Sequence, residues 1–384
     1  MQKYIFHKKL NYLSLLMIAI GLLGFFFSFG KAMGNTQAYA EELQNRPWVA
    51  LYTVALFYLL MALGVLVFYC INRVTKSQWS KPLNDVMEGI SAYIFWGSAV
   101  VGLILVLACL GYAKLFPWME AVSSPTADVL KSKRAFLNPT GFMVRSGVYL
   151  LLWSAFRYYI RRTSLTYAHT LNVKYEQRLF KLSAGFLVVF FITESLSSWD
   201  WLMSLEPQWY STLWAWYVLS SFFVSGIALL TIIVILLKKS SYLPEVGTAH
   251  LHDLAKYLFA FSIFWAYLWF SQFLLIWYAN IPEEAIYFVP RLLGGYKGLL
   301  IATIVLGFAV PLVGLISSRA KANEGWVAAM AAVTLVAHFL DFYLMVYPAT
   351  VGSYWGFGIA ELSALLTITG VFMLVVCRAF RGGI

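Results

Sequence analysis

Cysteine, histidine and charge are all scarce in this chain. The three cysteines, Cys70, Cys109 and Cys377, stand singly and form no CxxC pair. That excludes an iron–sulfur ligand set and a c-type haem attachment site. Of the five histidines, His7, His169, His250 and His252 fall in loops or at helix starts, and only His338 sits inside an apolar run. A b-type haem held between helices usually takes two histidines at depth, so the chain is expected to carry no redox cofactor of its own. Charged residues make up only 12% of the sequence, too few to solvate the surface of a water-soluble domain of 384 residues. The basic residues are scattered over many loops and form no stripe, which excludes nucleic acid as a partner.

What remains is 61% apolar, with a mean hydropathy of +0.75. Ten apolar runs of spanning length lie near 10–29, 48–71, 90–112, 142–160, 181–202, 212–237, 254–279, 297–316, 325–346 and 357–377. The expectation is an all-α polytopic membrane protein, one integral domain over 1–384. No small-residue cleavage site follows the first run, so that run is expected to be retained. An even number of spans puts both termini on one side. That side carries about two thirds of the 28 Lys and Arg residues, and the positive-inside rule makes it the cytoplasm. The longest loop on the other side, 113–141, reads as a packed docking surface.

Two helices begin alike. Asp85 precedes YIFW (93–96), and Asp253 precedes SIFW (262–265), each helix starting on the same side. The pattern hints at a parallel repeat of halves 48–202 and 212–346. Pro311 and Gly314 mark a kink in the eighth span.

Acids, amides and histidine inside spans carry the chemistry, because each is costly in hydrocarbon unless it is partnered or wetted. Glu194 shares one helix face with Ser197 and Ser198, while Asp200 falls about 120° away and is assigned to the interface. His338 and Asp341, three residues apart, share a face of the ninth span. Glu361 enters the tenth. Gln272 and Ser271 interrupt the apolar segment Phe264–Glu284, which ends at Pro282. Two readings apply to Glu194, Gln272 and the His338–Asp341 pair. One is helix–helix glue. The other is the lining of a proton or quinone path, for which an imidazole titrating near neutrality is suited. Towards the opposite end, Glu88 and Tyr93 are further candidates. Arg145 reads as a snorkelling interfacial arginine, and Asp253–Lys256 as an exposed ion pair.

Four stretches carry a resemblance: KRAFLNPTGFMVRSGVYLLLW (133–153), SSWDWLMSLEPQWYSTLW (197–214), FWAYLWFSQFLLIWYANIPEE (264–284) and AHFLDFYLMVYP (337–348). Together they cover about a quarter of the chain. They resemble the NrfD-like large membrane subunits of alternative complex III, a bacterial quinol:cytochrome c oxidoreductase. The shortness of the chain makes it look most like the second of these subunits, the ActF type. The resemblance implies two four-helix bundles, spans 2–5 and 6–9, with spans 1 and 10 flanking them. It implies a location in the bacterial inner membrane. The partners it implies are a homologous NrfD-like subunit, an iron–sulfur protein, a multihaem cytochrome c, lipid and a terminal oxidase. Haem c and iron–sulfur clusters would then reside in those partners. Quinol-oxidising members place a histidine and acids around the headgroup. This chain keeps the His338–Asp341 pattern but lacks a second intramembrane histidine, which favours the non-oxidising subunit, structural and proton-conducting. The alternatives are a quinol-binding subunit of a related oxidoreductase and a secondary transporter. The latter would need matched broken helices, and only Pro311 fits.

Overall fold

A computed structural model describes residues 8–34, 40–119 and 131–382. Of the loop 113–141, residues 120–130 lie outside the described residues. Among the described residues the protein is all helix, with no strand. Among the described residues, nine helices are long and apolar enough to cross a membrane. A tenth, Pro139–Thr170, is 32 residues long but is not among the nine. Arg145, Arg157, Arg161 and Arg162 dilute its apolar character. It nonetheless packs as a full member of the bundle.

The helices are α1 (Lys8–Met33), α2 (Ala40–Val74), α3 (Asn84–Ser91), α4 (Tyr93–Cys109), α5 (Pro139–Thr170), α6 (Val173–Trp201), α7 (Trp214–Lys239), α8 (Thr248–Ala279), α9 (Lys297–Ile304), α10 (Val310–Gly314), α11 (Glu324–Thr350) and α12 (Ile359–Gly382). Their ends follow local chemistry. Asn138 caps α5 by accepting from the Gly141 amide at 2.6 Å, with Pro139 at the first helical position. The basic stretch after residue 160 continues α5 to Thr170, ten residues beyond the apolar run 142–160. A single left-handed residue, Leu171 (φ 51°), stops it, and Asn172 starts α6 at once by accepting from the Lys174 amide at 2.9 Å. The third span tightens by one turn at Ala92, whose backbone stays helical (φ -58°, ψ -26°). The Ala92 amide closes a tight turn onto the Gly89 carbonyl, and the Ser91 hydroxyl takes the Glu88 carbonyl at 2.7 Å. The kink expected at Pro311 lies just ahead of it, as a π-helical turn over Val305–Ala309 between α9 and α10. Proline has no amide to offer the carbonyl four residues back, so the regular ladder is interrupted there.

Helices α2, α4, α5 and α6 form a closed ring of neighbours, and α7, α8, the α9–α10 helix and α11 form a second. The rings meet along α2 and α7. Gly64 and Gly226 face each other at that crossing: a Cβ on Gly226 would lie 2.9 Å from the Met61 carbonyl oxygen. Lipid tails are as apolar as leucine, so close backbone approach and dispersion hold such a crossing, not the hydrophobic effect. Helices α1 and α12 do not stand at opposite ends of the molecule. They pack on each other, antiparallel, and together lie against α2. Gly21 allows this, because a Cβ there would overlap Thr367. The start of α1 and the end of α12 thus share one end of the molecule. An apolar groove of about 620 Å³, lined by Phe57, Met61, Ile233, Phe339 and Phe372 among others, separates this pair from the second ring.

Candidate functional site

Five carboxylates are buried among the described residues: Glu88, Glu194, Asp200, Asp341 and Glu361. All lie on spanning helices, and the structure sorts them by partner. Three are locked to an arginine. Arg161 of α5 holds Glu88, whose other oxygen accepts from Ser164 at 2.5 Å. Arg145 of α5 holds Asp200 through both oxygens, at 2.6 and 2.9 Å, and Tyr149 adds a third hydrogen bond at 2.9 Å. Arg46 of α2 holds Glu361 at 2.7 and 3.0 Å, supported by the Gly358 amide at 2.8 Å and Tyr347 at 3.1 Å.

The Arg145–Asp200 pairing corrects two readings of the sequence. Arg145 does not snorkel; it turns inward, stacked 4.1 Å over the Phe136 ring, to meet Asp200. Asp200 does not serve the interface. It is fully buried as the arginine's partner.

The remaining two carboxylates have no arginine. Asp341 of α11 accepts from the Tyr217 and Ser221 hydroxyls of α7 and from the Trp265 indole of α8, the last two at 2.7 and 2.9 Å. His338 lies one turn earlier on α11. Its Nδ1 is 3.1 Å from Ser221 Oγ and 3.9 Å from an Asp341 oxygen. The Trp265 ring stands edge-on to the imidazole at 5.0 Å between centroids. The His338 Nε2 is buried and meets no partner among the described residues. Ser221 therefore bridges imidazole and carboxylate, so a proton shift at one group changes the hydrogen bond offered to the other.

Glu194 of α6 is the more isolated. It is 2% exposed, and its Oε1 has no hydrogen-bond partner. Ser197 and Ser198 share its face, as the spacing requires, but their hydroxyls turn back to the Glu194 and Ser195 carbonyls instead of reaching its carboxylate. Two contacts fix its level. The Trp214 indole reaches the Ser198 carbonyl, and Phe190 touches Phe222. They bracket Glu194 beside Val218, between Tyr217 and Ser221. The two carboxylates without an arginine thus sit at one depth in neighbouring rings.

The other candidates are dispersed. Gln272 is buried with an unpartnered Nε2 and makes no hydrogen bond to His338 or Asp341. Tyr93 is buried against Phe372, its hydroxyl unpartnered. Asp253 and Lys256 form the expected exposed ion pair at 2.9 Å.

Sequence reasoning missed Tyr217, Ser221 and Trp265, which complete the Asp341 cluster, and Arg291. The latter is 2% exposed. It donates to the Leu344 and Tyr287 carbonyls and to Glu206, and lies 3.5 Å over the Tyr287 ring. One signal was present. Asp200 and Asp341 each precede a proline by the same interval, ending at Pro207 and Pro348.

No group of three or more His, Cys, Asp or Glu side chains that could hold a metal ion occurs among the described residues. No family model matches the chain, and no curated protein matches it. What the fold and the site define is an all-α, multi-pass membrane protein with arginine-neutralised and arginine-free carboxylates in its interior.

Proposed function

We propose that this chain is a membrane subunit of a respiratory quinol:cytochrome c oxidoreductase, the alternative complex III type, in the bacterial inner membrane with both termini in the cytoplasm. It carries no redox group. It scaffolds partners that hold haem c and iron–sulfur clusters, and it contributes part of a proton path.

One observation carries the proton-path part of the reading. Three buried carboxylates are each neutralised by a fixed arginine, whereas Glu194 and the Asp341–His338 cluster are not. An arginine stays protonated at any physiological pH, so the three salt-bridged pairs act as struts between helices. A carboxylate surrounded only by hydroxyl, indole and imidazole groups can gain and lose a proton without stranding a buried cation. The resemblance of the four stretches quoted above supports the complex as the setting.

The test uses the purified complex reconstituted in liposomes, with Asp341→Asn and Glu194→Gln prepared side by side. Assembly and quinol turnover should persist while protons released per electron fall. A normal proton ratio with full assembly in both variants would remove the case.

A further inference from the structure

A cavity of about 420 Å³ opens between the turn that follows α2 and the first two turns of α6. Its wall carries four cations, Arg73, Lys76, Lys81 and Lys181, against a single acid, Glu176. Arg73 is held against Tyr69, its Nε 3.1 Å from the hydroxyl. The three lysines make no ion pair with any described residue.

Two further features point into the same space. Ser80 lines the cavity and is only 2% exposed, and its hydroxyl makes no hydrogen bond to a described residue, not even as a cap of the turn it begins. The cavity also takes in Val173, Glu176 and Gln177 of the first turns of α6, a helix of 29 residues whose N-terminal amides carry partial positive charge.

The location sets the ligand class. The apolar run of α2 ends at Asn72 and Arg73, and that of α6 begins beyond Lys181, so the cavity lies where hydrocarbon gives way to water. Leu179 and Phe180 supply an apolar wall on the α6 side. A soluble anion would use the cations and leave that wall idle. We propose that this cavity is a binding site for the head group of an anionic phospholipid, with the phosphate on the lysines and Ser80 and the start of an acyl chain along Phe180.

Lys76 makes the site testable without breaking the fold. It occupies a left-handed position (φ 51°) at the C-terminus of α2, where the Lys76 amide returns to the Arg73 carbonyl and the Ser77 amide to the Asn72 carbonyl. Glycine is the residue that turn prefers. Lys76→Gly therefore removes a charge and relaxes the turn together.

The experiment takes the full-length protein in detergent and measures retention of tetraoleoyl cardiolipin against excess phosphatidylcholine by native mass spectrometry, with melting temperature read in parallel. The wild type should retain the anionic lipid and melt higher with it. Each lysine removed should weaken retention roughly five-fold, and the combination of Lys76→Gly, Lys81→Gln and Lys181→Gln roughly a hundred-fold. Lys76→Gly alone should leave the lipid-free melting temperature unchanged or raised while shrinking the lipid-dependent rise. Equal retention by wild type and triple variant overturns the proposal. So does a lipid-free melting temperature that falls in Lys76→Gly with the lipid-dependent rise intact, which would mark the lysine as structural. Competition by glycerophosphate or inorganic phosphate at the concentrations where lipid binds would assign the site to a soluble phosphate instead.

Discussion

The Arg145 guanidinium grips Asp200 through both carboxylate oxygens, at 2.6 and 2.9 Å. Asp341 stands at the matching interval before a proline in the other ring of helices. There the donors are a tyrosine, a serine and a tryptophan. The same residue type thus sits in a charge-balanced setting in one ring and a charge-free one in the other, and the two should respond differently to the same substitution.

Asp200→Asn leaves a half-buried guanidinium without its fully buried counter-ion. Losing one partner of a buried pair costs about 3 kcal/mol. Asp341→Asn keeps one carbonyl oxygen, enough for Ser221 and Trp265, and turns an amide NH2 to the Tyr217 hydroxyl, which can rotate to accept; no charge is stranded, so its cost should be about 1 kcal/mol. Thermal melting of the two variants, prepared in the same lipid and detergent, checks the order. Equal losses would show that the arginine pairing does not separate the two sites.

Gly21→Leu should prise α1 from α12. The added side chain would have to occupy space held by Thr367 and the Ser363 carbonyl. Because the pair rests on close packing and not on charge, no rearrangement of a flexible side chain relieves the overlap. The measurable outcome is faster proteolysis or hydrogen exchange confined to these two helices, while the Asp341 cluster keeps its protection. Exchange spreading evenly over both rings would contradict a separable pair.

Arg291→Leu removes a buried cation that caps the Tyr287 and Leu344 carbonyls and pairs with Glu206. It should destabilise the protein by about 3 kcal/mol. It touches neither Glu194 nor Asp341, so proton release per electron in the surviving complex should be unchanged. A changed ratio at normal assembly would tie Arg291 to the proton path.

The purified single chain should show no haem absorbance and contain no iron, since only His338 lies at membrane depth and Ser221 already meets its Nδ1. From native membranes it should be recovered with haem c and iron–sulfur subunits. A b-type haem spectrum assigned to this chain, or its recovery as a partnerless monomer in mild detergent, would count against the proposed function.

The helices were legible in the sequence because hydrocarbon imposes one length and one composition on them. Local relations were legible as well: the Asp253–Lys256 pair, the shared face of Glu194 and Ser198, and the adjacency of His338 and Asp341 all follow from helical spacing. Pairings across helices were not. Arg145 and Asp200 are 55 residues apart, and Arg46 and Glu361 are 315 apart. Nothing in periodicity says which helix faces which. The same limit hid Tyr217, Ser221 and Trp265, which read as ordinary apolar-helix residues until the ring of α7, α8 and α11 closes around Asp341. The stop of α5 at Thr170 was missed because it turns on a single residue's backbone angle, that of Leu171.

The π-helical turn over Val305–Ala309 has a mechanical consequence. Such a turn is one residue too many, absorbed into the helix instead of looped out. Gly307 at its centre lies against Trp265 and Ala337, the tryptophan that grips Asp341 and the neighbour of His338 in the chain. If the surplus residue passed along the helix, the segment it crossed would rotate by about 100°. The contact surface presented to Trp265 would change while both ends of the span kept their places. The eighth span thus holds slack at the height where such a rotation reaches the tryptophan that grips Asp341, one of the two carboxylates that lack an arginine.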